Sequence, residues 1–427
     1  MLYLLALAVL SLFLPVKFDT GIVVLRPFEF LALFALVASL APRGSRIILI
    51  PTGFLLLLPF FGWHVFSAFS GGGINGLREL LQILAVSAFA LALAQESGRL
   101  NPHKFARILL FGMTIILAYS IGWHLANGYW TGWKRLVEPR LSFAFLPVVL
   151  ACLILFAKPG NRRTLWLAWA ALFPVLVFSG ERKALIIQLL LTAALLARGR
   201  LAAMIPAAIA VFAGLTILST LIDDPYMLRQ LRGVVDPLST GQYEYLIATG
   251  QYAPGDSPSN VQRAFALKLS SDLLAEHPLL GVGTNQYSNF VNTEFGYLPE
   301  VLRLGIHGEF LRVLTENGMI GFGLYLLVWI AAWVRFRRVL RWALHSRLIQ
   351  PLHARLLPIV LFVPAALFVG TEAAGTRSFV TLILISLLPE LAKHGIRMTA
   401  RQEQSRQQVR MGVGQTVAAR PIAGNPR

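Results

Sequence analysis

The chain has 427 residues, of which 56% are hydrophobic and only 14% charged, and its formal net charge is +18. Soluble domains carry roughly a quarter of their residues as charges, so a water-soluble globule is excluded, and the mean hydropathy of +0.66 marks a polytopic membrane protein. No basic soluble domain exists on which the excess of Lys and Arg could grip a duplex, so the charge points to anionic membrane lipids and not to nucleic acid.

Taken in chain order, apolar runs of about 16 to 24 residues recur along nearly the whole sequence, and about 20 residues of helix cross a hydrocarbon core of roughly 30 Å. The runs are solidly apolar instead of alternating, which predicts helices and not a barrel. The first run, 1–16, has neither a basic start nor a small-x-small cleavage site before Lys17 and is read as a span, not a leader. Further spans are predicted at 24–41, 47–69, 77–95, 105–126, 141–157, 164–180, 183–199, 201–222, 317–334, 355–371 and 376–392, making about twelve.

Basic residues gather on alternate connections. Arg43 and Arg46, Arg99 and Lys104, Lys158, Arg162 and Arg163, and Arg198 and Arg200 fall on one side. Arg337, Arg338, Arg341 and Arg347 join them there. Lys134, Arg135 and Arg140 are the exception on the other side. The positive-inside bias predicts both termini in the cytoplasm. The lone cysteine, Cys152, lies within a span and serves packing. The tail 393–427 is rich in Gln, Arg, Gly and Pro and is expected to be disordered.

One connection, 223–305, is far longer than the rest and faces outside in this topology. Connections of that length are functional or disordered, and helix signals favour order here. Ser259 and Gln262 fit a capping box, Val261, Phe265, Leu269 and Leu273 repeat every four residues, and Pro278 closes that helix. A second helix is predicted from near Ile306, with Ile306, Phe310, Val313 and Leu314 on its apolar side and Glu309, Arg312 and Glu316 opposite. His307 then falls inside the apolar stripe, either as a packed histidine or as a water-shielded general base. The expected organisation is therefore spans 1–222, an outer loop 223–305, a histidine-bearing segment with the last spans 306–392, and the tail.

Arg182, at the outer start of a span, and Arg263, on the loop helix, come out on the same side as His307. Each alone fits a helix-end anchor; together they suit an anion, because guanidinium groups hold phosphate oxygens bidentately. Lys183 adds a third charge or a simple helix-end cation. Asp223, Asp224, Asp236 and Asp256 are the weaker alternative, as ligands of a divalent metal. Tyr129, Trp130 and Trp133 form an outer aromatic group that fits an interfacial belt or a sugar path.

His307-Gly308-Glu309 through Glu316, Asn317, Gly318 and Gly321 resembles the histidine motif of the O-antigen ligase and polymerase superfamily. The Pro278, Gly281 and Gly283 approach, Arg263 with Leu267, and Ser179-Gly180-Glu181-Arg182 resemble its other motifs. Glu181 and Gly308 depart from the family pattern. The length and the single dominant loop are more similar to the ligase branch than to the polymerase branch.

The resemblance implies a GT-C-like, all-α membrane glycosyltransferase of about twelve spans in the bacterial inner membrane. Its donor would be an undecaprenyl-diphosphate-linked glycan and its acceptor lipid A-core. It also implies an inverting transfer in the periplasm with His307 as base and Arg182, Arg263 and Lys183 on the diphosphate, with no metal or cofactor. A lipid-linked glycan transporter is the rival from another class, for which repeated halves and mid-membrane charges are expected.

Overall fold

The computed structural model describes residues 1–12, 18–19, 24–40, 50–71, 73–96, 100–126, 142–157, 159–179, 182–200, 241–253, 258–371 and 376–418, with a few positions between 202 and 213; the side chain of Arg182 is not among them. Among the described residues, the helices before the long connection include α1 (Leu2–Ser11), α2 (Pro27–Leu40), α3 (Thr52–Leu55), α4 (Leu58–Gly71), α5 (Gly73–Glu96), α6 (Pro102–Ala126), α7 (Ser142–Phe156), α8 (Pro159–Ser179) and α9 (Arg182–Leu196). The connection holds α10 (Gly241–Thr249), α11 (Pro258–Glu276), α12 (Gln286–Glu294) and a 3₁₀ turn at Glu300–Arg303. After it come α13 (Glu309–His345), α14 (Pro351–Thr371) and α15 (Thr376–Ala418). A two-residue antiparallel pair, Phe18–Asp19 with Val24–Leu25, links α1 to α2.

The local reasons for these boundaries are plain. Helices α2, α6, α8, α11 and α14 each open on proline, whose fixed φ and missing N–H suit the first helical position. Prolines also sit inside helices at Pro147, Pro174, Pro358, Pro364 and Pro389, which membrane helices tolerate because neighbours re-satisfy the freed carbonyls.

The protein is a helical membrane protein. Among the described residues, Thr52–Ser70, Leu77–Glu96, Glu309–His345, Pro351–Gly370 and Ser378–Met398 are long and apolar enough to cross a bilayer. Leu2–Ser11, Pro27–Leu40, Phe145–Phe156 and Lys183–Leu196 are apolar but shorter, and α6 and α8 occupy the predicted spans 105–126 and 164–180. Most of the predicted span 201–222 lies outside the described residues.

Two apolar cores form. The larger joins the spans, with Phe28 against Phe89, Phe60 against Tyr325 and Phe61 against Phe379. At one of its ends Gly53 lies directly on the backbone of Ser386, and Glu390 accepts from the Gly53 N–H and from Arg335. The smaller core belongs to the long connection and gathers Leu246, Val261, Phe265, Leu269, Val291 and Ile306. The four-residue apolar repeat of α11 therefore packs as the sequence predicts.

Three expectations are corrected. The tail is not disordered as a whole: α15 runs unbroken to Ala418, because Gln, Arg, Glu and Met are good helix formers that propagate cheaply from an already formed span. Ser259 is not at the N-cap position, because the helix already opens at Pro258, and the Gln262 amide donates to the carbonyls of Leu304 and Gly305. The second helix starts at Glu309, so His307 lies ahead of it and on no helical face.

Candidate functional site

Helix α11 carries Arg263, and its neighbour Gln262 fixes where it sits. The buried Gln262 Nε2 donates to the Gly305 carbonyl at 2.9 Å, two residues before His307. A buried amide bonded to a carbonyl is costly to break, so α11 is pinned to the segment that bears the histidine. Both Arg263 and His307 are half-buried. Gly308 follows at φ +126°, a backbone that Asn or Ser adopts only with strain, which explains the glycine after the histidine.

The motif glycines belong to one backbone-to-backbone seam. Helix α13 is broken at Gly318, with φ +63° and ψ −170°. The Pro278–Gly283 strip fills the break: Val282 and Gly283 donate N–H to the carbonyls of Thr315 and Glu316 at 3.1 and 2.8 Å. Met319 and Ile320 donate to those of Pro278 and Leu279 at 2.9 and 3.3 Å. The Trp63 indole N–H takes the Asn317 carbonyl at 3.1 Å. A side chain on Gly321 would strike that indole. Backbone groups freed by a broken membrane helix must find such partners. The approach sequence and the histidine motif thus form one physical unit.

Beneath the seam lies a buried ionic network. Arg312 is held by Glu309 through Nε and Nη2 at 3.1 and 2.8 Å and by Glu316 through Nη1 at 3.0 Å. All three side chains are almost wholly buried. On the facing spans, His64 Nε2 lies 2.9 Å from Glu79 Oε2, both buried. The other Glu79 oxygen accepts from the Asn285 amide. Thr284 donates its N–H to Ser67 at 3.1 Å and its hydroxyl to the His64 carbonyl at 3.2 Å, beside the Asn317 amide. Tyr287 closes the group from α12. Burial, with Glu316 nearby, pushes its phenol well above the usual range. Glu309, Arg312 and Glu316 share one face of the helix, as the sequence predicts; that face is covered too, so its charges pair with one another.

Arg182 and Lys183 open α9, and Lys183 is half-buried. Their level in the bundle follows from helix directions. Just past α9, a Cβ on Gly199 would lie 3.2 Å from Arg355 at the start of α14, and α9 packs along α14. At the other end of α14, a Cβ on Gly370 would lie 3.3 Å from the Phe310 ring. From Gly199 back to Arg182 is roughly 25 Å and from Arg355 to Gly370 roughly 22 Å at 1.5 Å per residue. The opening of α9 therefore shares an end of the bundle with Phe310, three residues beyond His307. Gly180 and Glu181, Asp223, Asp224, Asp236 and Asp256, Tyr129, Trp130 and Trp133, and Lys134, Arg135 and Arg140 lie outside the described residues. Among the described residues, no three or more His, Cys, Asp or Glu side chains group as a metal would require.

Sequence reasoning missed His64, Glu79, Thr284 and Asn285. A signal was present: Glu79 is an acid inside a predicted span, and an ionisable group there calls for a named partner. No family model matches the chain, and no curated protein sequence matches it.

Proposed function

We propose that this protein is an O-antigen ligase-type glycosyltransferase of the inner membrane, with about twelve spans in a GT-C-like arrangement and both termini cytoplasmic. It moves a glycan from undecaprenyl diphosphate to lipid A-core at the periplasmic face. His307 takes the proton from an acceptor hydroxyl as that oxygen attacks the anomeric carbon, with inversion. Arg182 and Arg263, helped by Lys183, hold the diphosphate and stabilise the charge that grows on it as it leaves. The glycosyl diphosphate supplies the driving force, so neither metal nor cofactor takes part.

The observation that carries this reading is positional. His307, the segment pinned through Gln262 beside Arg263, and the opening of α9 all belong to one end of the bundle. A polymerase of the same superfamily would use the same groups with a different acceptor.

One observation favours a second reading. A broken span with buried Glu79, Arg312 and Glu316 at the break is also how transporters build substrate sites. Purified protein in detergent, given undecaprenyl-diphosphate-linked glycan and lipid A-core without a membrane gradient, separates the two. A transferase forms the joined product, seen as a gel shift, and His307→Ala abolishes it while the protein stays folded. A transporter forms nothing. Deletion in the native host separates the branches: loss of all long chains from lipid A-core indicates ligase, and single repeat units left on it indicate polymerase.

A further inference from the structure

Two leucines of the long connection face outward beside the break in α13. Leu279 and Leu280 leave 58% and 57% of their surface exposed, although the connection has an apolar core that could have taken them. The seam fixes their place: Met319 and Ile320 donate to the carbonyls of Pro278 and Leu279, so the turn abuts the head of the span. Met319 and Ile320 are exposed too. From there an exposed stripe, Ile320, Gly323, Leu327, Ile330 and Val334, runs down α13 at three- and four-residue steps, the period of one helix face. On a helix long and apolar enough to span, that stripe faces acyl chains.

We infer that the Pro278–Leu280 turn continues this lipid-facing surface and rests within the bilayer, anchoring the connection to the membrane by its acyl-chain boundary. Polarity changes at the right place: Glu276 and His277, just before the turn, are exposed and polar. Trp63, whose indole caps the break at Asn317, is the residue type enriched at headgroup level in membrane proteins, and exposed Phe66 beside it, with ring centroids 5.7 Å apart, adds apolar surface. The inference concerns a membrane surface and stands whether or not the transferase reading does.

A single-cysteine protein tests it, since Cys152 is the only cysteine. With Cys152→Ala in place, Leu280→Cys and, separately, Leu279→Cys are given a nitroxide label and reconstituted into phosphatidylethanolamine and phosphatidylglycerol vesicles. Asp272→Cys, at an exposed pair on α11, is the aqueous control. Collisional relaxation by oxygen, which partitions into lipid, is compared with that by a water-soluble nickel chelate. The oxygen-to-nickel ratio at 279 and 280 is expected to exceed that at 272 several-fold. Ratios equal to that at 272 overturn the inference. So does spin–spin broadening that vanishes on dilution with unlabelled protein, which would put a second copy of the chain on the turn.

Discussion

Gly281 and Gly318 meet backbone to backbone: a Cβ built on either would lie 2.5 Å from the nitrogen of the other. Both also sit at positive φ, so an alanine at either suffers a clash with rigid backbone and a left-handed conformation together. Gly281→Ala or Gly318→Ala is expected to cost about 2–5 kcal/mol, read as a large fall in the midpoint of thermal unfolding in detergent. Gly323, with nothing within 4 Å of its built Cβ, is the control. Gly323→Ala should leave the midpoint unchanged or slightly raised, and equal behaviour of all three would remove the seam from the account.

Arg312 has two buried carboxylates for partners. Arg312→Met leaves both uncompensated, an effect of roughly 3–5 kcal/mol for a broken buried ion pair. Replacing all three, with Glu309→Gln, Arg312→Met and Glu316→Gln, removes the charges together and should recover most of the lost stability. Unfolding midpoints of the single and triple variants decide the matter. If the triple variant is the least stable of the set, the charges contribute more than their mutual neutralisation.

Much of the helical framework is legible in the sequence because each apolar run is long and closed by Gly, Pro or charge. The seam is not, although both its motifs are visible, because nothing in a linear pattern says that Pro278–Gly283 will fill a break at Gly318. The polar face drawn for Glu309, Arg312 and Glu316 holds, but its burial is not legible, for a related reason. A helical wheel knows which residues share a side but not that spans and connection cover both sides at once. Ile306, Phe310 and Val313 keep the helical period and so predict a helix through His307. Gly308, directly ahead of the helix start at Glu309, is the signal that outweighs that period.

Glu79 ties a span to the connection by accepting from Asn285 while it holds His64. Glu79→Ala removes both contacts and leaves the His64 ring buried without its partner, at a cost of about 1–3 kcal/mol. The backbone amides of residues 284–288 should then exchange with deuterium faster than in the parent. Glu79→Gln keeps an amide oxygen within reach of the Asn285 donor and should preserve much of that protection. Equal protection in the alanine variant and the parent would mean that the connection is held elsewhere.

Arg263 and the absence of metal chemistry can be tested in one transfer assay. Under the proposed mechanism, guanidinium groups neutralise the leaving diphosphate. Removing one fork, Arg263→Ala, should lower turnover on the order of 100-fold, with Arg263→Lys recovering part of the charge but not the bidentate grip. The same division of labour leaves a divalent cation nothing to do, so turnover should persist in excess chelator. Loss of activity in chelator with rescue by magnesium would instead put a cation on the diphosphate, and Asp223, Asp224, Asp236 and Asp256 would become the first residues to replace. If Arg263→Ala were also mild in that case, the diphosphate would be held by the metal and the arginine assignment would fall with the metal-free mechanism.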